Sequence, residues 1–268
     1  MSLKSIVRAC VLYAFIEQRR RRFRLQRLKL FPSNSEAVAC EVAVNVSRFD
    51  LWPSSIREGH GRTFVDVGAN DGDFIRAVTR LAAPAAAIAF EPLPACAQSL
   101  RPLIESLPAG QLHQVAVGAS SGEVELNCTG DSRMSSVLSP QTGIHASYRE
   151  GDHKIARKLK VRMVRLDDHI APNIRIGLLK VDVQGYELEV LRGATRTLDQ
   201  TEALLIEINY TPHYEGAAGF EEVHEFLRAA GFLLYGVSAP YVDDRRPLWA
   251  DAMYVRTAAE AIDCASRC

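Results

Sequence analysis

Thr63-Phe-Val-Asp66-Val-Gly68-Ala-Asn70-Asp71-Gly72-Asp73-Phe74 decides how the rest of the chain is read. Thr63 to Val67 is mostly apolar and β-branched, the composition of a buried strand. Gly68 and Gly72 stand four apart at its exit, and Phe74 to Leu81 has helical spacing. Strand, glycine turn and helix make the first half of a βαβ unit. Ligands of open α/β sheets sit outside the carboxyl ends of such strands. Glycines there let the backbone turn tightly and approach a ligand. A plain strand-to-helix turn, with Asp71 or Asp73 as helix N-cap, would use the same residues.

The alternation continues outward from this stretch. Ala87 to Phe90 reads as a strand, Ala95 to Leu107 as a helix, Leu112 to Val117 as a strand and Gly122 to Leu126 as a short one. Residues 128–158 are polar and read as a long loop, followed by a short strand over Val161 to Leu166. Ile176 to Val183 is a strongly apolar strand, Tyr186 to Leu198 a helix, and Leu204 to Ile208 a strand. Phe220 to Ala230 is a helix, Phe232 to Val237 a strand, and Asp251 to Arg256 a final strand. Repeated strand–helix–strand order predicts an α/β fold, a doubly wound, mostly parallel seven-stranded sheet of Rossmann-like type. The expected domain covers residues 61–257, after an extension over 1–60 and before a tail over 258–268.

Charge separates the candidate ligands of the glycine turn. A dinucleotide lays an anionic pyrophosphate on the helix N-terminus and favours neutral glycines there. Here Asp66, Asp71 and Asp73 crowd the turn, which suits a cation. S-adenosylmethionine carries a sulfonium and an α-ammonium and no phosphate. The third glycine of a dinucleotide fingerprint and a phosphate-loop lysine are both missing. Glu91, 23 residues after Gly68 at the end of the second strand, is placed to accept hydrogen bonds from ribose hydroxyls, and Pro92 ends the ladder behind it. An NAD(P)-dependent oxidoreductase is the first rival reading. A non-catalytic module that binds a partner through its basic extension is the second.

Two further strand ends carry charge. In Leu178-Leu-Lys180-Val-Asp182-Val-Gln184-Gly185-Tyr186-Glu187, alternation puts Lys180 and Asp182 on one face. Such charges at the end of an apolar strand are costly unless they pair or line a crevice. One strand later, Glu207 and Asn209 lead to Tyr210, His213 and Tyr214, an expected titratable and aromatic edge at the mouth. Asp182, Glu207 and His213 are therefore the candidate catalytic groups. Asp182 is placed where cofactor and acceptor would meet, and His213 has an unperturbed pKa near neutrality. Carboxylate chemistry permits a divalent metal shared by Asp182 and a neighbouring acid, but no metal site is favoured.

These segments, taken in order, resemble the FkbM-type family of class I S-adenosylmethionine-dependent methyltransferases. The resemblance rests on Val65 to Gly72, Phe90-Glu-Pro92, Val115-Ala-Val-Gly118 with Gly122 to Leu126, Arg165-Leu-Asp-Asp168, and Leu179 to Ala194. It implies O-methylation of a hydroxyl on a sugar, glycolipid or polyketide-like acceptor. It implies S-adenosylmethionine held by Asp66, Gly68, Asn70, Asp71, Gly72, Asp73, Phe74, Glu91, Pro92, Ala116, Val117 and Asp182. Two positions depart from the pattern: Asp71 stands where an apolar residue is frequent, and Gln184 where an acid is common.

Composition bounds the remainder. The chain has 268 residues with 32 Lys+Arg and 32 Asp+Glu. That balance argues against a surface built for nucleic acid. Nine of the basic residues and one acid, Glu17, fall within residues 1–30, so the body is mildly acidic. Leu3, Ile6, Val7, Cys10, Val11 and Ala14 share one helical face, followed by Arg19 to Arg22. This extension reads either as an arm packed on its own domain or on a second subunit, or as an interfacial helix on anionic lipid. Six cysteines without metal spacing, no spanning apolar stretch and no cleavage-site pattern lead to the expectation of a cytoplasmic protein with reduced thiols.

Overall fold

A computed structural model describes residues 62–81, 84–141, 154–238, 240–243 and 246–257. The basic extension, with its arm and membrane readings, and the tail lie outside these residues. No described helix is long and apolar enough to cross a membrane.

The chain opens with β1 (Thr63–Val67), α1 (Asp73–Leu81), β2 (Ala86–Phe90), α2 (Pro94–Glu105) and β3 (Gln111–His113). Next come β4 (Ala116–Val117), β5 (Gly122–Thr129), a 3-10 turn (Ser132–Met134), β6 (Ile155–Val164) and α3 (Leu166–His169). The second half holds β7 (Ile176–Val181), α4 (Glu187–Arg192), α5 (Thr195–Asp199), β8 (Thr201–Asn209), α6 (Phe220–Ala229), β9 (Phe232–Val237), β10 (Tyr241–Asp243) and β11 (Arg246–Arg256).

The main sheet runs β10-β11-β8-β7-β1-β2-β3, with β9 also on β11. The pairs from β8 to β3 are parallel, and β11 is antiparallel to β8. It contains eight strands rather than seven. β10 pairs Trp249, Pro247 and Arg246 of β11, whereas β9 pairs Ala252 to Arg256. The two therefore lie end to end along one edge, and the sheet is seven positions wide. All residues of β1 and β7 are buried, as central parallel strands covered on both faces require.

Three local expectations are corrected. The stretch 112–117 is two strands: β3 ends the main sheet, and β4 joins a second sheet of order β4-β6-β5. β5 and β6 pair antiparallel from Gly122↔Met163 to Thr129↔Ile155, so strand consumes both ends of the expected loop over 128–158. Residues 186–198 form two helices, because a Cβ on Gly193 would lie 2.1 Å from the Gly118 carbonyl oxygen. That close approach ends α4, and the Asp167 carboxylate starts α5 by accepting from Arg196 and Thr197 backbone N–H groups at 3.1 and 2.8 Å.

Candidate functional site

The first-strand exit is built on its neighbour. Gly68 has φ +82°, and a Cβ there would lie 1.8 Å from the Asp182 carbonyl oxygen. The Asp182 N–H in turn donates to the Val67 carbonyl at 3.0 Å. The glycine therefore lets the β1 and β7 exits touch. Gly72, at φ +88°, would put a Cβ 2.5 Å from Leu100, so it serves the packing of α2. Between them Asn70 takes φ +47°, and its N–H donates to Glu91 Oε2 at 2.8 Å.

Glu91 is buried, and its other oxygen accepts from Leu93 N at 2.8 Å. Burial pushes its pKa up to about 7, although the Leu93 and Asn70 N–H groups pull it down. A buried carboxyl with a raised pKa thus follows β2, facing a cleft of about 670 Å³ including its open mouth. That size suits a small ligand. Gly68, Asn70, Glu91, Pro92, Ala116, Val117 and Asp182 all line it. The opposite wall comes from Ser132, Arg133, Ser135, Ser136 and Val137, with Gln184 and Tyr186.

Asp66, Asp71, Gly72, Asp73 and Phe74 do not line the cleft. Asp71 is exposed, and Asp73 pairs with Arg76 at 2.8 Å. Asp66 lies beneath the floor, 3.5 Å from Lys180 Nζ, which also reaches Asp182 at 3.2 Å and sits 5.4 Å above the Phe74 ring. Burial would lower the Lys180 ammonium, but Asp182 and Asp66 outweigh it and hold it above the usual lysine value. Lysine therefore stays a cation between two acids.

The acids behind the cleft form a cluster. Carboxylate oxygens of Asp182, Glu187 and Glu207 lie within 4.8 Å of one another. Glu187 Oε1 accepts from Val183 and Gly185 N–H at 3.0 and 3.1 Å, which ties it to the loop. Gln184, at φ +58°, donates from Nε2 to Asp182 Oδ1 at 2.9 Å and to Glu207 Oε2 at 3.3 Å. Burial raises Glu207 well above an ordinary glutamate, and Asp182 and Glu187 add to this. Asp251, paired in register with Glu207, is pushed up to about 7 by burial and then by Asp182. Such oxygens could ligate a cation, but Gln184 and the backbone already engage the cluster.

Of the three catalytic candidates, Asp182 alone lines the cleft; its side chain is 31% exposed. Glu207 reaches it through Gln184. His213 is buried on the loop after β8, and its carbonyl accepts from Gln141 N at 2.7 Å. Tyr214 is not an edge at the mouth. It is buried, and its hydroxyl lies 2.9 Å from the Met134 carbonyl and 3.1 Å from Gln184 Oε1. It braces the serine-rich wall against the β7 exit. Tyr210 packs toward Phe220, with ring centroids 6.0 Å apart.

Sequence reasoning missed that wall, the Gln184 bridge and Asp251. The run Asp131-Ser-Arg-Met-Ser-Ser136 was the available signal, hydroxyls and one cation inside a loop. An acid within the apolar β11 was the signal for Asp251.

A family profile described as the methyltransferase FkbM domain matches residues 66–234, from the glycine turn to β9. The chain belongs to the FkbM methyltransferase family. The FkbM domain is thus a methyltransferase, and its cleft lies at the carboxyl ends of β1, β2 and β7. The chain is 28% identical over 65% of its length to 2-O-methyltransferase NoeI of Sinorhizobium fredii, covering 74% of that protein. It is 28% identical over 69% of its length to Methyltransferase 1 of Beauveria bassiana, covering 75% of it. Among solved structures, magnesium protoporphyrin IX methyltransferase (ChlM) from Synechocystis with bound SAM superposes with a TM-score of 0.45 at 7% identity, over 83% of this chain and 78% of that one.

Proposed function

We propose that the protein transfers the methyl group of S-adenosylmethionine to a hydroxyl oxygen of a sugar, glycolipid or polyketide-like acceptor. The observation that carries this reading is Glu91. It is a buried carboxyl anchored at the end of β2, facing a cleft over the glycine turn. That is where a ribose diol needs an acceptor. The 2-O-methyltransferase relative supports oxygen as the receiving atom.

S-adenosylmethionine, when bound, supplies a methyl carbon activated by its sulfonium. Glu91 accepts hydrogen bonds from the ribose hydroxyls, and Ala116, Val117 and Leu126 give the base an apolar seat. Asp182 stands at the cleft floor with Lys180 and Gln184 fixing its two oxygens. There it would orient the acceptor hydroxyl and take up the proton which that oxygen releases. Glu207, held high by burial, stands behind Asp182 and shares the Gln184 amide with it.

The test has two arms. Calorimetry should show heat with S-adenosylmethionine and none with NAD(P). A release assay for S-adenosylhomocysteine over sugar, lipid and small-alcohol acceptors should then find turnover. Nicotinamide heat alone would move the reading to an oxidoreductase, and heat without any turnover to a non-catalytic module.

A further inference from the structure

Three charged side chains line the cleft among the described residues: Glu91, Asp182 and Arg133. If the adenosylmethionine reading holds, each has one counterpart. Glu91 meets the ribose, and Asp182 meets the cationic or proton-bearing groups. The remaining charge on the cofactor is its α-carboxylate. An anion bound beside Glu91 and Asp182 would be repelled without a local cation. We propose that Arg133 binds the α-carboxylate and so fixes the amino-acid half over the glycine turn.

The placement supports this. Arg133 lies in the 3-10 turn Ser132–Met134, which stands against the glycine turn: Asn70 Nδ2 and Ser132 Oγ are 3.2 Å apart. Asp71 and Asp73 are close enough to act on its charge. Asp131 braces the guanidinium with two bonds, Nε to Oδ1 at 3.0 Å and Nη2 to Oδ2 at 2.7 Å. Arginine has five N–H donors, so about three stay open. Its side chain is 71% exposed at the mouth, so a ligand can reach them. A braced fork loses little freedom when it captures a carboxylate. Ser135 adds a hydroxyl on the same wall, its oxygen accepting from Thr129 N at 3.2 Å.

The test needs no acceptor. S-adenosylhomocysteine carries the amino-acid end, whereas 5′-methylthioadenosine has the same adenosine and thioether and ends in a methyl group. Titrating both into wild type, Arg133→Gln and Asp131→Asn separates the roles. Arg133→Gln should weaken S-adenosylhomocysteine about tenfold or more and change methylthioadenosine by less than about twofold. Asp131→Asn keeps the cap at Arg133 N and the guanidinium but loosens the brace, and should weaken S-adenosylhomocysteine by less than Arg133→Gln does. Equal losses for both ligands in Arg133→Gln, or no loss for S-adenosylhomocysteine, would overturn the assignment. So would a wild type that binds methylthioadenosine as tightly as S-adenosylhomocysteine. A wild type that binds neither overturns it through the functional reading beneath it.

Discussion

Replacing Glu91 by Gln tests the ribose anchor, and the structure sets both the size and the pH dependence of the effect. In wild type the carboxyl titrates at about 7, raised by burial and restrained by the Leu93 and Asn70 N–H groups. Only the ionised form accepts from both ribose hydroxyls while keeping both backbone donors. The competent fraction is roughly one tenth at pH 6 and nine tenths at pH 8, so apparent affinity should gain about tenfold across that window. At pH 8 the variant loses hydrogen bonds to a charged group, about 1.5–3 kcal/mol, or roughly ten- to 150-fold in Kd. The glutamine amide must also face one of the two backbone donors, which adds to the loss. The cofactor's own amine titrates near 7.7–8.0 in both proteins, so the ratio of the two affinities isolates Glu91. That ratio should grow about tenfold from pH 6 to 8 in calorimetric titrations with S-adenosylmethionine. Folding has the opposite dependence. A carboxyl with a raised folded pKa contributes stability below its unfolded value of 4.5, and this is lost as pH rises through about 7. The variant lacks that loss, so thermal melts without ligand should be flatter with pH. An affinity ratio independent of pH, or a variant that binds as wild type does at pH 8, would refute the assignment.

Gly68→Ala should damage folding more than it damages binding selectively. It combines φ +82° with a 1.8 Å approach to the Asp182 carbonyl, a cost of about 3 kcal/mol; a thermal melt equal to wild type would contradict the packing role. Asp182→Asn should lower turnover by about 10²-fold or more with the melt little changed, since Lys180 keeps Asp66; near-normal S-adenosylhomocysteine release would move the base to Glu207 or His213. Asp167→Ala should cost about 2 kcal/mol, because it removes acceptors from Arg196, Thr195 and Thr197. Burial alone would raise Asp167, but the Thr197 and Arg196 hydrogen bonds lower it. Its stabilisation is therefore present above the unfolded value of 3.8 and lost as pH falls through the folded one, so wild type and variant should converge in acid melts.

What was legible in the sequence is what local pattern carries. The apolar β1, the glycines behind it and the acid closing β2 have short-range signatures, and the structure puts Gly68, Asn70 and Glu91 on one cleft. The acids of the turn read as ligands because charge near a glycine turn suggests one. Asp73 also pairs with Arg76 within its own helix, a local role that spacing alone does not separate from ligand binding. The break at Gly193 was invisible because its cause is Gly118, 75 positions earlier in the chain. The same holds for the split of 112–117, where β4 leaves the main sheet to meet β6. The serine-rich wall depends on Tyr214 and Gln184 reaching it from elsewhere, so it shows only in the folded chain.

The account stands on where the cofactor's ribose lies. A crystal structure of the protein with S-adenosylhomocysteine measures this directly. The account predicts both ribose hydroxyls within hydrogen-bond distance of the Glu91 carboxylate, with the adenine against Ala116 and Val117. A ribose placed away from Glu91, or a ligand outside the cleft between the ends of β1, β2 and β7, would contradict it.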